Sequence, residues 1–319
     1  GENPIDAYAA LFRGAFDGEL RLGTTLAGFT PLLLTSIAFA VAAKAGAFNV
    51  GVEGEVFLGG ITAAYIGINW TFLPKPALYV ACFVGAMVVA AAWALIPAVL
   101  RAYYNVNEVC TTILMNTVAL YITSYLVSGP MSAGTANAQS LPVTVRLYQF
   151  MKPSSVNVGI FIAAITVIVI IFMLQKSSWG YKIRTVGLNP THADYVGIDS
   201  KKVFVGAMML SGMLGGMAGC IEVLGVHGYF LNNFATGLGS NGMLAALIVK
   251  NNMVSTPFMA FFLAVLKSGA MGMQQSTGVP KSLVDTITAV FIIIATMETA
   301  FQFTKKRKKK TEEKKEDKA

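Results

Sequence analysis

The feature that most constrains the fold of this chain is a series of long apolar segments without ionisable side chains. Residues 161–174 and 287–295 are two examples, and similar segments recur from Leu22 almost to the C-terminus. With their flanks, these segments reach the roughly 20 residues with which an α-helix crosses a hydrocarbon core about 30 Å thick. Only 13% of the residues are charged, against roughly 25% in a soluble domain. The sequence therefore predicts an all-α polytopic membrane protein with one membrane domain.

Hydropathy predicts nine membrane-crossing helices in this chain. The first residue is Gly rather than Met, and no signal-like segment opens the sequence, so we expect upstream sequence to be missing. The nine predicted helices cover about residues 22–43, 54–70, 76–100, 109–128, 158–174, 203–224, 238–250, 256–272 and 282–303.

The distribution of charge predicts the orientation in the membrane. Nine Lys and Arg and four Asp and Glu in residues 305–319 supply +5 of the net charge of +8. We expect this segment to be a disordered, cytoplasmic, Lys-rich tail that contacts membrane lipid, and we expect no binding of nucleic acid. The predicted regions are then residues 1–21, an extracellular amphipathic segment; 22–304, the transmembrane domain; 175–202, a cytoplasmic loop within it; and 305–319, the tail.

No catalytic or metal-binding pattern is visible in the sequence. The three cysteines lie in or beside separate apolar segments, without CxxC spacing. His192 and His227 are far apart in sequence and belong to no HExxH motif. The string at residues 278–282, GVPKS, lacks the glycine that precedes lysine in a Walker A phosphate loop. We therefore predict no catalytic residue, no metal site and no cofactor bound by this chain.

The most informative loop is residues 175–202. Asn189 can cap the start of a short helix, Pro190 suits its first turn, and Gly197 can end it in a left-handed conformation. Such a helix, of about two turns, is either a contact for a partner or a solvated linker, and spacing alone leaves both interpretations open. The residues assigned to the contact are Gly187, Asn189, Pro190, His192, Ala193, Asp194, Tyr195, Gly197 and Ile198.

Three polar residues in or beside the apolar segments are candidates for a solute pathway: Asn49, Glu53 and Asn116. An ionisable side chain at the centre of a membrane helix costs roughly 2.5–3.5 kcal/mol unless it is satisfied. For each of the three, a hydrogen bond between helices is the favoured alternative to contact with solute.

Two further patterns concern helix packing. Small residues crowd residues 211–219, which indicates close approach of helix backbones. Residues 49–54 and 238–242 share Gly and Asn and are separated by five predicted crossings, and an odd number of crossings would invert the second unit relative to the first. The sequence therefore raises an inverted repeat as a possibility, with chance similarity as the alternative.

Several of these strings resemble a known family. The string RTVGLNP at residues 184–190, with Ala193, Tyr195 and Gly197, resembles the coupling-loop signature of ABC permeases for branched-chain amino acids, ribose and nucleosides. Residues 47–55, AFNVGVEGE, are similar to a string of the sugar and nucleoside branch, in which Gln is more usual at the position of Glu55. Residues 3–16 resemble nucleoside permeases most closely. The resemblance covers the chain up to about residue 303 and implies one more helix before Gly1, ten in all.

What the resemblance implies is a permease subunit of a nucleoside importer in a bacterial plasma membrane, with a cytoplasmic C-terminus. Its implied partners are ABC ATPase subunits that hold ATP-Mg, a second homologous permease in a heterodimer, and an extracellular substrate-binding lipoprotein. A ribose or simple-sugar importer is the closest alternative. An ion-coupled secondary transporter and a non-transporting scaffold are the alternatives outside this class.

Overall fold

The computed structural model describes residues 4–277 and, beyond them, only Ser282 and Thr286. The ninth predicted crossing, apart from those two residues, and the Lys-rich tail lie outside the described residues. The helices are α1 (Pro4–Phe16), α2 (Gly18–Lys44), α3 (Val52–Asn69), α4 (Lys75–Tyr104), α5 (Glu108–Ser128), α6 (Gly159–Lys176), α7 (Ser178–Leu188), α8 (Pro190–Tyr195), α9 (Ser200–Ile221), a π-helical turn (Glu222–His227), α10 (Leu238–Ile248) and α11 (Thr256–Thr277).

The centre of the bundle is α9, which packs against α2, α3 and α4. The small residues predicted to allow close packing lie on two sides of this helix. Gly216 lies against the carbonyl oxygen of Ala86 in α4, and Gly219 lies against that of Val56 in α3, so that neither position has room for a Cβ. Close packing of backbones is the main source of helix association in lipid, which explains the glycine-rich sequence of α9.

Among the residues that the structure describes, six helical segments are long and apolar enough to cross a membrane: Gly18–Lys44, Lys75–Tyr104, Glu108–Ser128, Gly159–Lys176, Ser200–His227 and Thr256–Ser276. These correspond to six of the eight predicted crossings whose residues the structure describes. The all-α polytopic fold is therefore confirmed.

The other two predicted crossings differ from a full membrane helix. The segment predicted at 238–250 contains the 11-residue α10, which is only about 16 Å long at 1.5 Å per residue. The segment predicted at 54–70 is α3, which begins inside the bundle, where Gly54 in its first turn bonds Asn116 near the middle of α5 and Glu55 lies against Gly215 of α9. In both cases non-helical chain covers the remaining depth, which lipid does not permit but burial within protein does.

Two faces close the ends of the bundle. At one end lie the last residues of α2, α4, α6 and α10 together with α7, α8 and the start of α9, and we call this end the basic face because of its Lys and Arg side chains. At the other end, which we call the opposite face, residues 129–158 form irregular chain. There the backbone N–H of Val143 donates to Gly228 and that of Leu147 donates to Leu224.

The N-terminal helix α1 runs beside α11. Gly14 packs against the backbone of Gly269 and Gly272, and Leu11 is buried against Ala270 and Met273. Since these partners lie in the second half of α11, α1 is part of the helical bundle. The predicted extracellular position of residues 1–21 stays a prediction.

Candidate functional site

Two short helices begin at the same place inside the bundle. The backbone of Gly239 in the first turn of α10 lies so close to Glu53 that a Cβ there would be 2.5 Å from the Glu53 nitrogen. From this contact α3 runs to the opposite face, where Thr144 N–H donates to Gly67, and α10 runs to the basic face, where Lys250 lies beside Lys44. The two similar strings of the sequence therefore meet, and their helices leave in opposite directions. We call this place the half-helix junction.

Glu53 occupies the junction itself. Its side chain is partly exposed, and its Oε2 accepts a hydrogen bond from Ser240 Oγ at 3.3 Å. The unsatisfied backbone N–H groups at a helix start carry partial positive charge, so a carboxylate beside the first turns of two helices is favourably placed. Glu53, one of the three predicted pathway residues, therefore lies at the junction with its side chain partly exposed.

Asn49 is fully buried and belongs to a hydrogen-bond network. Its Nδ2 donates to Glu55 Oε1 and to Ser211 Oγ, both at 2.9 Å, and its Oδ1 accepts from the N–H of Gly51 at 2.9 Å. All the hydrogen-bonding atoms of this side chain are engaged, and none reaches a surface. The network joins the segment before α3 to α9, which is the interhelical role that the sequence favoured.

Asn116 also serves the start of α3. Its Oδ1 accepts from the N–H of Gly54 at 2.8 Å, and its Nδ2 donates to the carbonyl of Val50 at 2.9 Å. This residue of α5 therefore supplies the cap that the first turn of α3 lacks from its own N-cap residue. The sequence analysis did not nominate Ser211 and Ser240, which lay within strings that it noted for packing and for the repeat.

The predicted short helix is present on the basic face as α8. Asn189 caps it by accepting from the N–H of His192 at 3.1 Å, and Pro190 is its first residue. Gly197 follows at φ +80°, a left-handed conformation that glycine adopts without the steric cost of a Cβ. The local prediction of the cap, the first turn and the end of this helix is confirmed.

Two kinds of contact hold α8 against the rest of the chain, the burial of Ala193 and Ile198 and the hydrogen bonds of Asp194. Ala193 and Ile198 are buried, so they anchor the helix and are not available to a partner. Asp194 accepts two hydrogen bonds from Ser200, from its N–H and its Oγ, each at 3.0 Å. The backbone N–H of Lys202 donates to Asp199, and this hydrogen bond lowers the pKa of the Asp199 carboxyl.

An 11-residue helix, α7, precedes α8 and was missed in the sequence. Ser177 caps it by accepting from the N–H of Gly180 at 3.0 Å, and Ile183 and Val186 are buried on one side. The Ser cap and the apolar residues three apart were the available signal. Gly187, near the end of α7, lies against the carbonyl oxygen of Lys44, so α7 contacts the end of α2.

The outer side of α7 and α8 is exposed. Leu188 and Tyr195 are 88% and 86% exposed, and Val196 is 54% exposed. Large apolar side chains exposed together mark an interaction site more often than a bare surface. We call Leu188, Tyr195 and Val196 the coupling patch. Of the nominated residues, Gly187, Asn189, Pro190, His192, Asp194 and Gly197 are also exposed around it.

Comparison with known proteins finds relatives along nearly the whole chain. The guanosine ABC transporter permease NupP of Bacillus subtilis is 32% identical over 97% of this chain and 90% of its own length. The glucose ABC transporter permease TsgB13 of Haloferax volcanii is 32% identical over 91% of this chain and 80% of its own. The nucleoside ABC transporter permease NupB of Lactococcus lactis subsp. cremoris is 30% identical over 92% of this chain and 83% of its own.

A family model covers most of the bundle, including both regions described above. The model of the permease component of branched-chain amino acid transport systems matches residues 21–296, which include the half-helix junction, α7 and α8. A family match over this length, together with the apolar membrane-crossing helices, settles the class of this multi-pass membrane protein. The chain belongs to the family of permease components of the branched-chain amino acid transport system.

Proposed function

We propose that this chain is a permease subunit of an ABC importer and that the importer carries nucleosides. The observation that carries the proposal is the similarity to the guanosine and nucleoside permeases, which extends over 97% and 92% of this chain. The family match favours this function over an ion-coupled secondary transporter or a scaffold. The importer sits in the plasma membrane.

We place the basic face in the cytoplasm. Cytoplasmic loops carry an excess of Lys and Arg, and the bundle ends differ in this sense even without the tail. Of the described Lys and Arg residues, eight lie at the basic face and five at the opposite face: Lys44, Arg101, Lys176, Lys182, Arg184, Lys201, Lys202 and Lys250, against Arg13, Arg21, Lys75, Arg146 and Lys152. In this orientation the C-terminal tail is cytoplasmic.

The coupling patch then contacts an ATPase subunit that binds ATP-Mg. Its exposed apolar side chains provide the contact, while the hydrogen bonds of Asp194 and the burial of Ala193 and Ile198 fix α8 to α9. A helix held in this way moves as a rigid body when its partner moves, provided that the contacts differ between the two states. Nucleotide hydrolysis on a separate subunit can thereby be transmitted to α9 and, through α7, to α2.

The solute path passes the half-helix junction and is completed by a second permease. Partly exposed polar groups at membrane depth face a cavity or a partner rather than lipid, and Glu53 and Ser240 are such groups. A carboxylate accepts hydrogen bonds from ribose hydroxyls or from base N–H groups. The substrate-binding lipoprotein docks on the opposite face, where residues 129–158 are exposed in part.

Sugar import is the second candidate function. The glucose permease of Haloferax volcanii is as similar to this chain as the guanosine permease, at 32% identity. A furanose or pyranose ring offers the same hydroxyl donors to Glu53 as the ribose of a nucleoside does. A competition experiment separates the two, because only a nucleoside site responds to free bases.

The decisive experiment is uptake by proteoliposomes that contain this chain with its second permease and ATPase. Labelled guanosine should enter only with ATP on the ATPase side and the lipoprotein on the other. Unlabelled nucleosides and free bases should compete in excess, whereas glucose and ribose should not. Uptake of labelled glucose or ribose in place of guanosine would establish the sugar importer, and uptake driven by an ion gradient without nucleotide would disprove the ABC mechanism.

A matched pair of double variants tests the coupling patch. Leu188→Ser with Tyr195→Ser should reduce copurification of the ATPase at least about tenfold, since loss of a buried Tyr anchor alone can cost an interface about 2 kcal/mol. The control is Leu141→Ser with Tyr148→Ser, which removes an exposed Leu and an exposed Tyr from the opposite face. An equal loss of copurified ATPase in the two variants, or no loss in either, would argue against the patch as the ATPase contact.

A further inference from the structure

A pocket of about 410 Å³ on the basic face is bordered by four chain segments. It lies where the ends of α2, α6 and α10 meet the side of α7. Three basic side chains line it, Lys44, Arg184 and Lys250, and the amides of Gln175 and Asn252 lie beside them. Leu174 and Met253 form its apolar floor, and no acidic residue is among the described residues that line it.

The positive charges of this pocket are not neutralised within the described part of the chain. At the basic face, Arg101 pairs with Glu108 and Lys202 pairs with Asp199. The three cations of the pocket have no acidic partner among the described residues, and unlike the unpaired Lys176, Lys182 and Lys201 they are gathered around one cavity. Holding three like charges around one cavity is costly unless an anion offsets them.

A buried donor at the pocket also lacks a partner. Arg184 Nη1 is buried and forms no hydrogen bond with the described residues. A buried donor without a partner costs about 1–3 kcal/mol, and more when it is charged. In a native structure such an atom calls for an explanation, and a bound anion is the explanation that fits a donor placed among three cations.

The backbone beside the pocket is strained. Lys250 and Asn251 adopt φ values of +54° and +56°, two consecutive residues in the left-handed region that only glycine occupies freely. Strain of this kind concentrates where a segment clamps a ligand. The turn places the exposed side chains of Lys250 and Asn252 at the rim, so the pocket is open to solvent.

We propose that this pocket binds a phosphate group, with Arg184 as its fixed donor and Lys44 and Lys250 as flanking charges. Arg presents a planar fork of donors that matches phosphate oxygens, and Lys adds charge from a flexible stem. Basic pockets between membrane helices at the cytoplasmic side suit the headgroups of anionic phospholipids. A soluble phosphate compound offers the same chemistry.

A bound phosphate would connect parts of the molecule that move during transport. It would join the end of α10, which starts at the half-helix junction, to α7, which leads into the coupling patch. A ligand that bridges α2, α7 and α10 favours the conformation in which these segments lie together. The site is independent of the nature of the transported solute.

The test is native mass spectrometry of the assembled transporter, with dioctanoyl-phosphatidylglycerol, dioctanoyl-phosphatidylcholine and inorganic phosphate added separately. We expect phosphatidylglycerol to be retained and phosphatidylcholine to be lost. Lys44→Gln with Arg184→Gln should weaken retention at least tenfold, and the milder Lys250→Gln, at an exposed side chain, about threefold. Size-exclusion profiles of each variant establish that the complex is intact.

The control is Lys176→Gln with Lys182→Gln, which removes two exposed charges from the same face but none that lines the pocket. It should retain phosphatidylglycerol within twofold of the wild type. Binding of inorganic phosphate that depends on Lys44 and Arg184, without binding of the lipid, would identify a soluble phosphate as the ligand. Equal retention by the pocket variant and the control, or retention of neither anion by the wild type, would overturn the proposal.

Discussion

The start of α3 and the outer surface of α7 and α8 differ in whether their side chains have partners within the chain. Around α3, Asn49 and Asn116 place every hydrogen-bonding atom of their amides on a partner within the chain. On the basic face, Leu188 and Tyr195 are almost fully exposed, and Arg184 carries a buried donor without a described partner. The two amides of the first region are satisfied within the chain, while Glu55 Oε2 beside them is buried without a hydrogen-bond partner among the described residues; the second region leaves large apolar side chains exposed.

This difference follows from the surroundings of each region. Inside a membrane an unpaired polar group costs several kcal/mol, which favours internal hydrogen bonds such as those of the two amides. At the end of the bundle water is available, so exposed side chains can remain without a protein partner at little cost in free energy. Changes in the first region should therefore affect folding, whereas changes in the second should affect transport in a folded protein.

The largest effect is expected from Asn49→Ala. The substitution leaves Glu55, Ser211 and the N–H of Gly51 without a buried partner and should lower the free energy of unfolding by about 3 kcal/mol. Thermal unfolding in detergent, followed by size-exclusion fluorescence, measures this loss. Asn69→Ala, which removes one exposed hydrogen bond to Tyr65, is the control and should change little. Equal thermal stability of the Asn49→Ala and Asn69→Ala variants would contradict the expected difference between the two regions.

Gly187→Leu should have the next largest effect, and on transport rather than folding. A side chain there collides with the carbonyl of Lys44 and displaces α7 and α8 from the end of α2. Uptake should fall roughly 5- to 150-fold, the range that a coupling free energy of 1–3 kcal/mol represents. ATP-dependent uptake in proteoliposomes measures it. Gly28→Leu, at a position with open space, is the control; normal uptake by Gly187→Leu would remove α7 from the coupling route.

The smallest effect is expected from Ser240→Ala at the half-helix junction. Its hydrogen bond to Glu53 is long, at 3.3 Å, and partly exposed, so its loss should cost less than about 1 kcal/mol. The KM for uptake should change less than about fivefold, with stability unchanged. A much larger loss of uptake, with the protein still folded, would show that Ser240 contacts solute or controls the path directly.

Much of the basic face was predictable because its signals are local. Asn189, Pro190 and Gly197 define the start and end of α8 within nine residues, and the structure agrees with each. The interior was less predictable. Nothing near Asn49 in sequence identifies Ser211 as its partner 162 residues away, and nothing near Glu53 identifies Ser240.

The sequence by itself determined that this protein is helical, lies in a membrane and has a left-handed Gly197 just after α8, because hydropathy and capping act over a few neighbouring residues. Only the tertiary structure decided that α3 and α10 are half-helices whose starts meet, and that the Asn49 side chain forms buried hydrogen bonds inside the bundle. Those outcomes depend on contacts between segments distant in the chain, where burial and close packing, rather than local preference, select each partner.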